Sequence, residues 1–286
     1  MFFLAIYSIV SYILRPFIFN YRAIFPHFFN ASGLPMFHLG ASVIIDHPSY
    51  YRLFGIFRES GVYQIFLNIA ILFELFIRSK GPRFSYISIF LITIFLTFST
   101  PGYFGAAALL FAYIVFHRNS MAKDSKKKIV YFVLILFILA LFIYNISPEL
   151  SRNFDSALSK FFNKESSYVG RRTSILVELK LWSERPLFGY GITTGIDLSK
   201  YYGSQILGEF MYNTSTFTGM LVTLGGIFTI GISIMLIKSI WRIRASYVVK
   251  LLILSTIVLI LSSQLMMYNA YLYAFMFFGL LRKRIV

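Results

Sequence analysis

The sequence predicts an all-α, polytopic integral membrane protein of about eight transmembrane helices, with one large extracytoplasmic loop that contains a short amphipathic helix. Three observations carry this. Apolar residues fill 58% of the 286 positions, Phe and Tyr contribute 33 and 20 residues, and the mean hydropathy is +0.73; a soluble chain of this size has nowhere to hide so much apolar surface. The apolar residues fall in long Phe/Ile/Leu runs of helical length, without the alternation of barrel strands. The Lys and Arg residues cluster in short segments between those runs.

A hydrocarbon core about 30 Å thick takes roughly 20 helical residues to cross. The candidate spans are 1–14, 61–77, 84–99, 102–117, 129–147, 216–237, 247–263 and 267–281, several of them short by that ruler. The loops at 78–83, 118–128 and 238–250 and the tail at 282–284 hold 15 of the 27 Lys and Arg, against one acid, Asp124. The positive-inside rule places these four regions in the cytoplasm, and eight spans satisfy all four together. Both termini are then cytoplasmic. Residues 1–286 form a single membrane domain, in which 15–60 is a first outer segment and 148–215 is the large outer loop expected to carry the functional site.

The net charge of +16 is mostly this orientation signal, and it meets anionic headgroups, not nucleic acid. Lys126, Lys127 and Lys128 read as such an anchor. The chain has no cysteine, which excludes disulfides, thiolate catalysis and Cys-ligated metals. His27, His38 and His47 share the first outer segment, but their spacing is not that of a helical or finger-type metal site. No metal and no cofactor are expected. The apolar start at Phe2 lacks a basic n-region, so no cleavable signal peptide is expected either.

Within the first outer segment, Arg52, Arg58 and Glu59 lie directly before a span and therefore at headgroup level, positioned for lipid-linked phosphate or for interfacial snorkelling. Glu74 lies inside a span, four residues before Arg78, and predicts an i,i+4 pair. Ser99-Thr100-Pro101-Gly102 predicts a tight outer turn. Gly219, Gly225, Gly226 and Gly231 in one span predict close helix packing.

In the large loop, Arg171–Arg185 has helical character: Gly170 and Thr173-Ser174 suit its start and Pro186 forces its end. Ile175, Leu179 and Trp182 recur at helical spacing as an apolar stripe, with Arg171, Glu178 and Arg185 on another face. The arginines suit lipid phosphates or a bound diphosphate, for which a guanidinium is a rigid fork of donors. Arg171 and Arg185 stand about 21 Å apart on one helix and cannot grip one diphosphate together. The Arg171/Arg172 end is therefore the candidate, and Arg185 is expected to be structural. The following Pro186-Leu-Phe-Gly189-Tyr-Gly191-Ile-Thr-Thr-Gly195 is either a bend or a stretch whose glycine amides approach an anion.

In order along the chain, four pieces resemble the bacterial O-antigen polymerase and ligase family. They are Arg52…Gly55-Ile-Phe-Arg58-Glu59 before a span, Thr97-Phe-Ser99-Thr100 followed by Gly102 and an Ala/Leu run, Arg172 with Pro186-Leu-Phe-Gly189-Tyr-Gly191 fourteen residues on, and Tyr212-Asn213…Leu221…Leu224-Gly225-Gly226. Together they cover roughly residues 50–240. The chain departs from the family in two places. The family's Ser-Arg pair is Ser99-Thr100, and the His of its His-Asn pair is Tyr212. Among the ligases that His is the candidate base for the acceptor hydroxyl, so its replacement points towards polymerase. The chain is short for the family, a minimal or front-truncated member.

The resemblance implies a glycosyltransferase of the bacterial inner membrane that polymerises lipid-linked oligosaccharide repeat units for O-antigen, capsule or exopolysaccharide. Glycan would pass from a polyprenyl diphosphate to another lipid-linked repeat at the outer face, without a metal. Alternatives are the O-antigen ligase of the same family and a lipid-linked glycan flippase or transporter. Expected partners are the polyprenyl-diphosphate-linked oligosaccharide, membrane lipids, a flippase and a chain-length regulator. Such catalysis needs cations for the leaving diphosphate and a base for the attacking hydroxyl. Arg171 and Arg172 are the candidates for the first, Arg52 and Arg58 the helpers. Glu209 or Glu178 are candidates for the base, and Tyr212 for holding the acceptor. Gly189, Gly191 and Asn213 complete the candidate substrate site.

Overall fold

A computed structural model describes residues 1–21, 24, 27–29, 35–40, 42–45, 52–57, 59–116, 166–207, 215–270 and 272–274. The chain divides into two compact units, Met1–Ser159 and Lys160–Val286.

The first unit opens with α1 (Phe2–Ile13), which buries Ala5, Ser8 and Ser11 and packs on α4 (Phe84–Leu96). Its serines return their hydroxyls to the helix, Ser8 to Leu4 O at 2.7 Å and Ser11 to Tyr7 O at 2.9 Å, so they are buried without orphaned donors. The short α2 (Arg15–Asn20) follows, with Pro16 in its first turn, where the missing N–H costs nothing.

Next comes an element the sequence reading missed: a three-stranded antiparallel sheet, β1 (His27–Phe29), β2 (Pro35–His38) and β3 (Val43–Ile45), in the order β1-β2-β3. Strands of three or four residues are too short to show a period of two. Met36, Val43, Ile45 and Phe54 form the core beneath it, and the all-α expectation is corrected to that extent.

α3 (Ser60–Leu72) continues into one π-turn (Phe73–Ile77), marked by Arg78 N donating to Phe73 O at 3.0 Å. It packs on α4 and on α5 (Thr100–Phe116). Asn68 fixes the α5 contact by donating to Gly102 O at 3.3 Å and to Gln64 Oε1 at 3.1 Å. The turn expected at 99–102 falls earlier, at Thr97 and Phe98 (φ 48°), and Thr100–Gly102 already form the first turn of α5. The predicted Glu74–Arg78 pair exists at 3.7 Å, but the main partner is Arg83. The Arg83 Nε lies 3.2 Å from both carboxylate oxygens of Glu74, its Nη2 pairs with Oε1, and its backbone N–H donates at 3.3 Å.

The second unit holds α6 (Ser166–Glu184), α7 (Ile192–Leu207), α8 (Thr216–Trp241) and α9 (Tyr247–Leu261). α6, α7 and α8 pack mutually, and α9 returns along α8. Ser246 caps α9, accepting from Val249 N at 3.5 Å. Gly219 admits the Leu265 side chain, and Thr216 Oγ1 donates to Gln264 O at 2.5 Å, so the chain after α9 closes over the start of α8.

Among the described residues, Ser60–Ile77 (18 residues) and Thr216–Trp241 (26 residues) are long and apolar enough to cross a membrane. They match the expected spans 61–77 and 216–237. Four shorter apolar helices, Phe2–Ile13, Phe84–Leu96, Thr100–Phe116 and Tyr247–Leu261, fall on four further expected spans. The expected span 129–147 and most of 267–281 lie outside the described residues.

Candidate functional site

α6 forms for the reasons the sequence offered at its end and not at its start. It stops at Glu184, two residues before Pro186, but begins at Ser166, ahead of the expected Gly170. The expected apolar stripe is corrected as well. The buried face is Ser174, Val177, Glu178 and Leu181; of the expected stripe Trp182 packs against it, while Leu179 is 37% exposed. The helix is thus rotated by about 100° from the amphipathic expectation, the angle of one residue. The cause is α8, which presents Val222 to Val177 and Leu181 and a hydroxyl, Thr218, to Glu178.

Glu178 is fully buried. Thr218 Oγ1 donates to its Oε2, and the Ser174 hydroxyl lies 3.5 Å from Oε1. Burial pushes the carboxyl up to about 7, and the hydroxyl contacts from Thr218 and Ser174 offset only part of that. Glu178 is therefore a tie between α6 and α8. Enclosed on both oxygens, it does not reach an acceptor hydroxyl, and its candidacy as the base is withdrawn.

Arg171 lies on the same face of α6 as Ser174 and Glu178, at i, i+3 and i+7, and is half-buried, whereas Arg172 is exposed. Burial alone lowers the Arg171 guanidinium from its ordinary value; no charged neighbour among the described residues contributes. A partly desolvated cation of this kind gains from an anionic ligand.

After α6 the chain makes the Pro186–Gly191 turn, and here the structure replaces one expectation with another. Gly189 N donates to Arg185 O at 3.1 Å and Gly191 N to Thr223 O at 2.9 Å, so neither amide is free to face an anion. The glycines serve packing. α8 is broken at Gly225 (φ 81°, ψ 174°), a conformation that L side chains rarely adopt. The break frees backbone groups on both sides of it. Tyr190 N donates to Val222 O at 2.7 Å, Gly226 N to Pro186 O at 2.8 Å and Ile227 N to Leu187 O at 3.3 Å. Gly189 (φ 64°) sits so close that an added Cβ would stand 2.8 Å from Gly225 N.

The Trp182 indole N–H donates to Pro186 O at 2.9 Å. The Tyr190 hydroxyl reaches Glu184 at 2.5 Å, and the Arg185 guanidinium lies 4.8 Å above the Tyr190 ring. Arg185 thus supports the turn, in keeping with a structural role. α7, which the sequence reading did not anticipate, buries Gly195, Ser199 and Gly203 as a stripe of small residues. A Cβ on Gly195 would stand 3.0 Å from Thr223 Cγ2. Of the glycines expected to pack in α8, Gly219, Gly225 and Gly226 do; Gly231 has nothing within 4 Å.

In the first unit, Arg52 lines a small pocket with Arg15, Ser8, Tyr12, Ser42, Val43, Ile44 and Leu53. Arg15, which the sequence reading passed over, is buried and donates from Nη2 to Ile45 O at 3.1 Å. Its position immediately before a proline, at the end of the first apolar run, was the available signal. Arg58, Glu209, Tyr212 and Asn213 lie outside the described residues. Among the described residues, no group of three His, Asp or Glu side chains is placed to hold a metal ion.

Residues 85–225 match the family model described as O-antigen ligase. The match takes in α4, α5, α6, the turn, α7 and α8 as far as its break. Members of this family are membrane-embedded, glycosyl-transferring enzymes acting on lipid-linked oligosaccharides. No curated protein and no solved structure matches the chain.

Proposed function

We propose, from the O-antigen ligase domain that this chain carries over residues 85–225 and that marks it as an O-antigen polymerase/ligase family protein, that it is the polymerase of lipid-linked repeat units. The acceptor repeat's hydroxyl oxygen bonds to the anomeric carbon of the donor glycan. The bond from that carbon to the polyprenyl diphosphate breaks, and the diphosphate leaves with the electron pair. The hydroxyl proton passes to a base, for which Glu209 is the remaining candidate. Arg171 and Arg172 neutralise the charge that grows on the leaving group, which a preorganised guanidinium does without reorganisation or a metal. Tyr212 and Asn213 orient the acceptor.

The observation that carries this reading is the state of Arg171. It is half-buried, burial alone lowers its guanidinium from the ordinary value, and it stands on a helix pinned to α8 by Glu178 and by the turn. Tyr212, where the family's ligases resemble one another in carrying histidine, favours polymerisation over ligation. In a polymerase-null strain complemented with Arg172→Ala, we expect surface glycan of a single repeat length. Normal long chains would contradict the reading, and loss of all surface glycan would indicate ligation instead.

A further inference from the structure

We propose that the Pro186–Gly191 turn is seated in a lipid leaflet, with Leu187 and Phe188 in hydrocarbon just beneath the headgroups on the side of the 148–215 segment. This seating does not depend on which glycosyl transfer the protein catalyses.

The first ground is exposure. Phe188 is 74% exposed and Leu187 58%, although both sit in a turn otherwise fastened by backbone hydrogen bonds. They are continuous with exposed residues of α8 that begin immediately past its break: Ile227 at 56%, Phe228 at 44% and Ile230 at 60%. Above the break, no large apolar residue of α8 is exposed in this way. The lipid-facing surface of α8 therefore begins at the level where the turn docks.

Length gives the second ground. Trp241, next to Arg242 and Arg244, marks the opposite boundary as an interfacial aromatic. From Trp241 to Gly226 the helix rises about 22 Å, which leaves about 8 Å of a 30 Å hydrocarbon core above the turn. The turn is thus inside the apolar layer, close to its edge.

The third ground is the hydrogen bonding. Irregular backbone persists at membrane depth only where its polar groups are satisfied by protein. Here the carbonyls of Pro186, Leu187, Val222 and Thr223 accept and the amides of Gly189, Tyr190, Gly191, Gly226 and Ile227 donate, so the docked part of the turn meets this condition, while the amides of Leu187 and Phe188 at its tip pair with no backbone group among the described residues. Exposure and depth together make the occupant lipid acyl chain.

The chain has no cysteine, so Phe188→Cys and, separately, Leu187→Cys give single sites for an environment-sensitive fluorophore on otherwise intact full-length protein. Both side chains point outward, so neither change removes a core contact. In phosphatidylcholine/phosphatidylglycerol nanodiscs we expect quenching by 5-doxyl lipid several-fold stronger than by 12-doxyl lipid, and little quenching by aqueous iodide. A label at the exposed Lys180 should show the reverse preference, for iodide. Iodide quenching at 187 and 188 would place the turn in water and overturn the proposal. Shielding from both quenchers would mean that protein covers the turn, and would overturn it as well.

Discussion

The carbonyl of Leu187 and the α-carbon of Gly225 are in backbone contact so close that no side chain fits between them, because α8 breaks its helical dihedrals at that residue. This contact organises the second unit. It lets a turn of irregular backbone share the hydrogen bonds of a broken helix, and it fixes the depth from which α6 and α7 depart.

Gly225→Ala should therefore be among the most damaging small substitutions in the chain. It adds left-handed backbone strain of about 1–3 kcal/mol to a steric clash with Leu187 and Phe188. Gly231→Ala, in open space six residues on, should be neutral or stabilising by about 0.5–1 kcal/mol. Thermal unfolding in detergent should separate the two variants by several degrees; equal midpoints would mean that the dock is not structural.

Glu178 predicts a pH dependence whose sign follows from its raised pKa. Unfolded, the carboxyl titrates near the ordinary value of 4.5; folded, it titrates at about 7. Between these values the native state binds more protons, so its contribution to stability is fully present below 4.5 and is lost as pH rises through 7. Thermal midpoints should therefore fall for this reason between pH 5 and pH 8. Glu178→Gln, which cannot ionise yet still meets Thr218, should flatten that fall.

Arg83 and Arg78 share Glu74 unequally, and their removal should show it. Arg83→Ala strips the Nε and Nη2 hydrogen bonds from the Glu74 carboxylate and should lower the unfolding midpoint. Arg78→Ala loses the longer 3.7 Å ion pair with Glu74 and a hydrogen bond to Gly81 O at 3.0 Å, and should cost less. The midpoints of the two variants in one detergent are the comparison; a larger loss for Arg78 would reverse the assignment.

The two ends of α6 should differ in function. Arg185 braces Tyr190 at the turn, and its replacement by alanine should shorten glycan chains modestly. Arg171 stands about 21 Å away along the helix, at the end proposed to meet the carrier phosphates. Arg171→Ala, assayed beside Arg185→Ala by glycan gel, should be the more severe.

The end of α6 was legible because proline stops a helix whatever surrounds it. Its buried face was not, because the neighbour offers a hydroxyl and a small apolar surface, which selected Glu178 over Leu179 for burial. α7 escaped notice because it packs through Gly195, Ser199 and Gly203, residues that carry no hydropathy signal. The glycines of the turn were visible, but their two uses, admitting an anion or admitting another backbone, look alike until the partner at Gly225 is seen. The sheet at 27–45 was hidden by strands too short for periodicity.

On the proposed reading, Arg171 and Arg172 stabilise a departing polyprenyl diphosphate during repeat-unit polymerisation. Purified protein in proteoliposomes with lipid-linked repeat units as sole substrate, and chelator present, tests it most directly. We expect a ladder of lengthening lipid-linked glycans that disappears in Arg172→Ala. A ladder of undiminished length from that variant, or none from the unaltered protein, would contradict it.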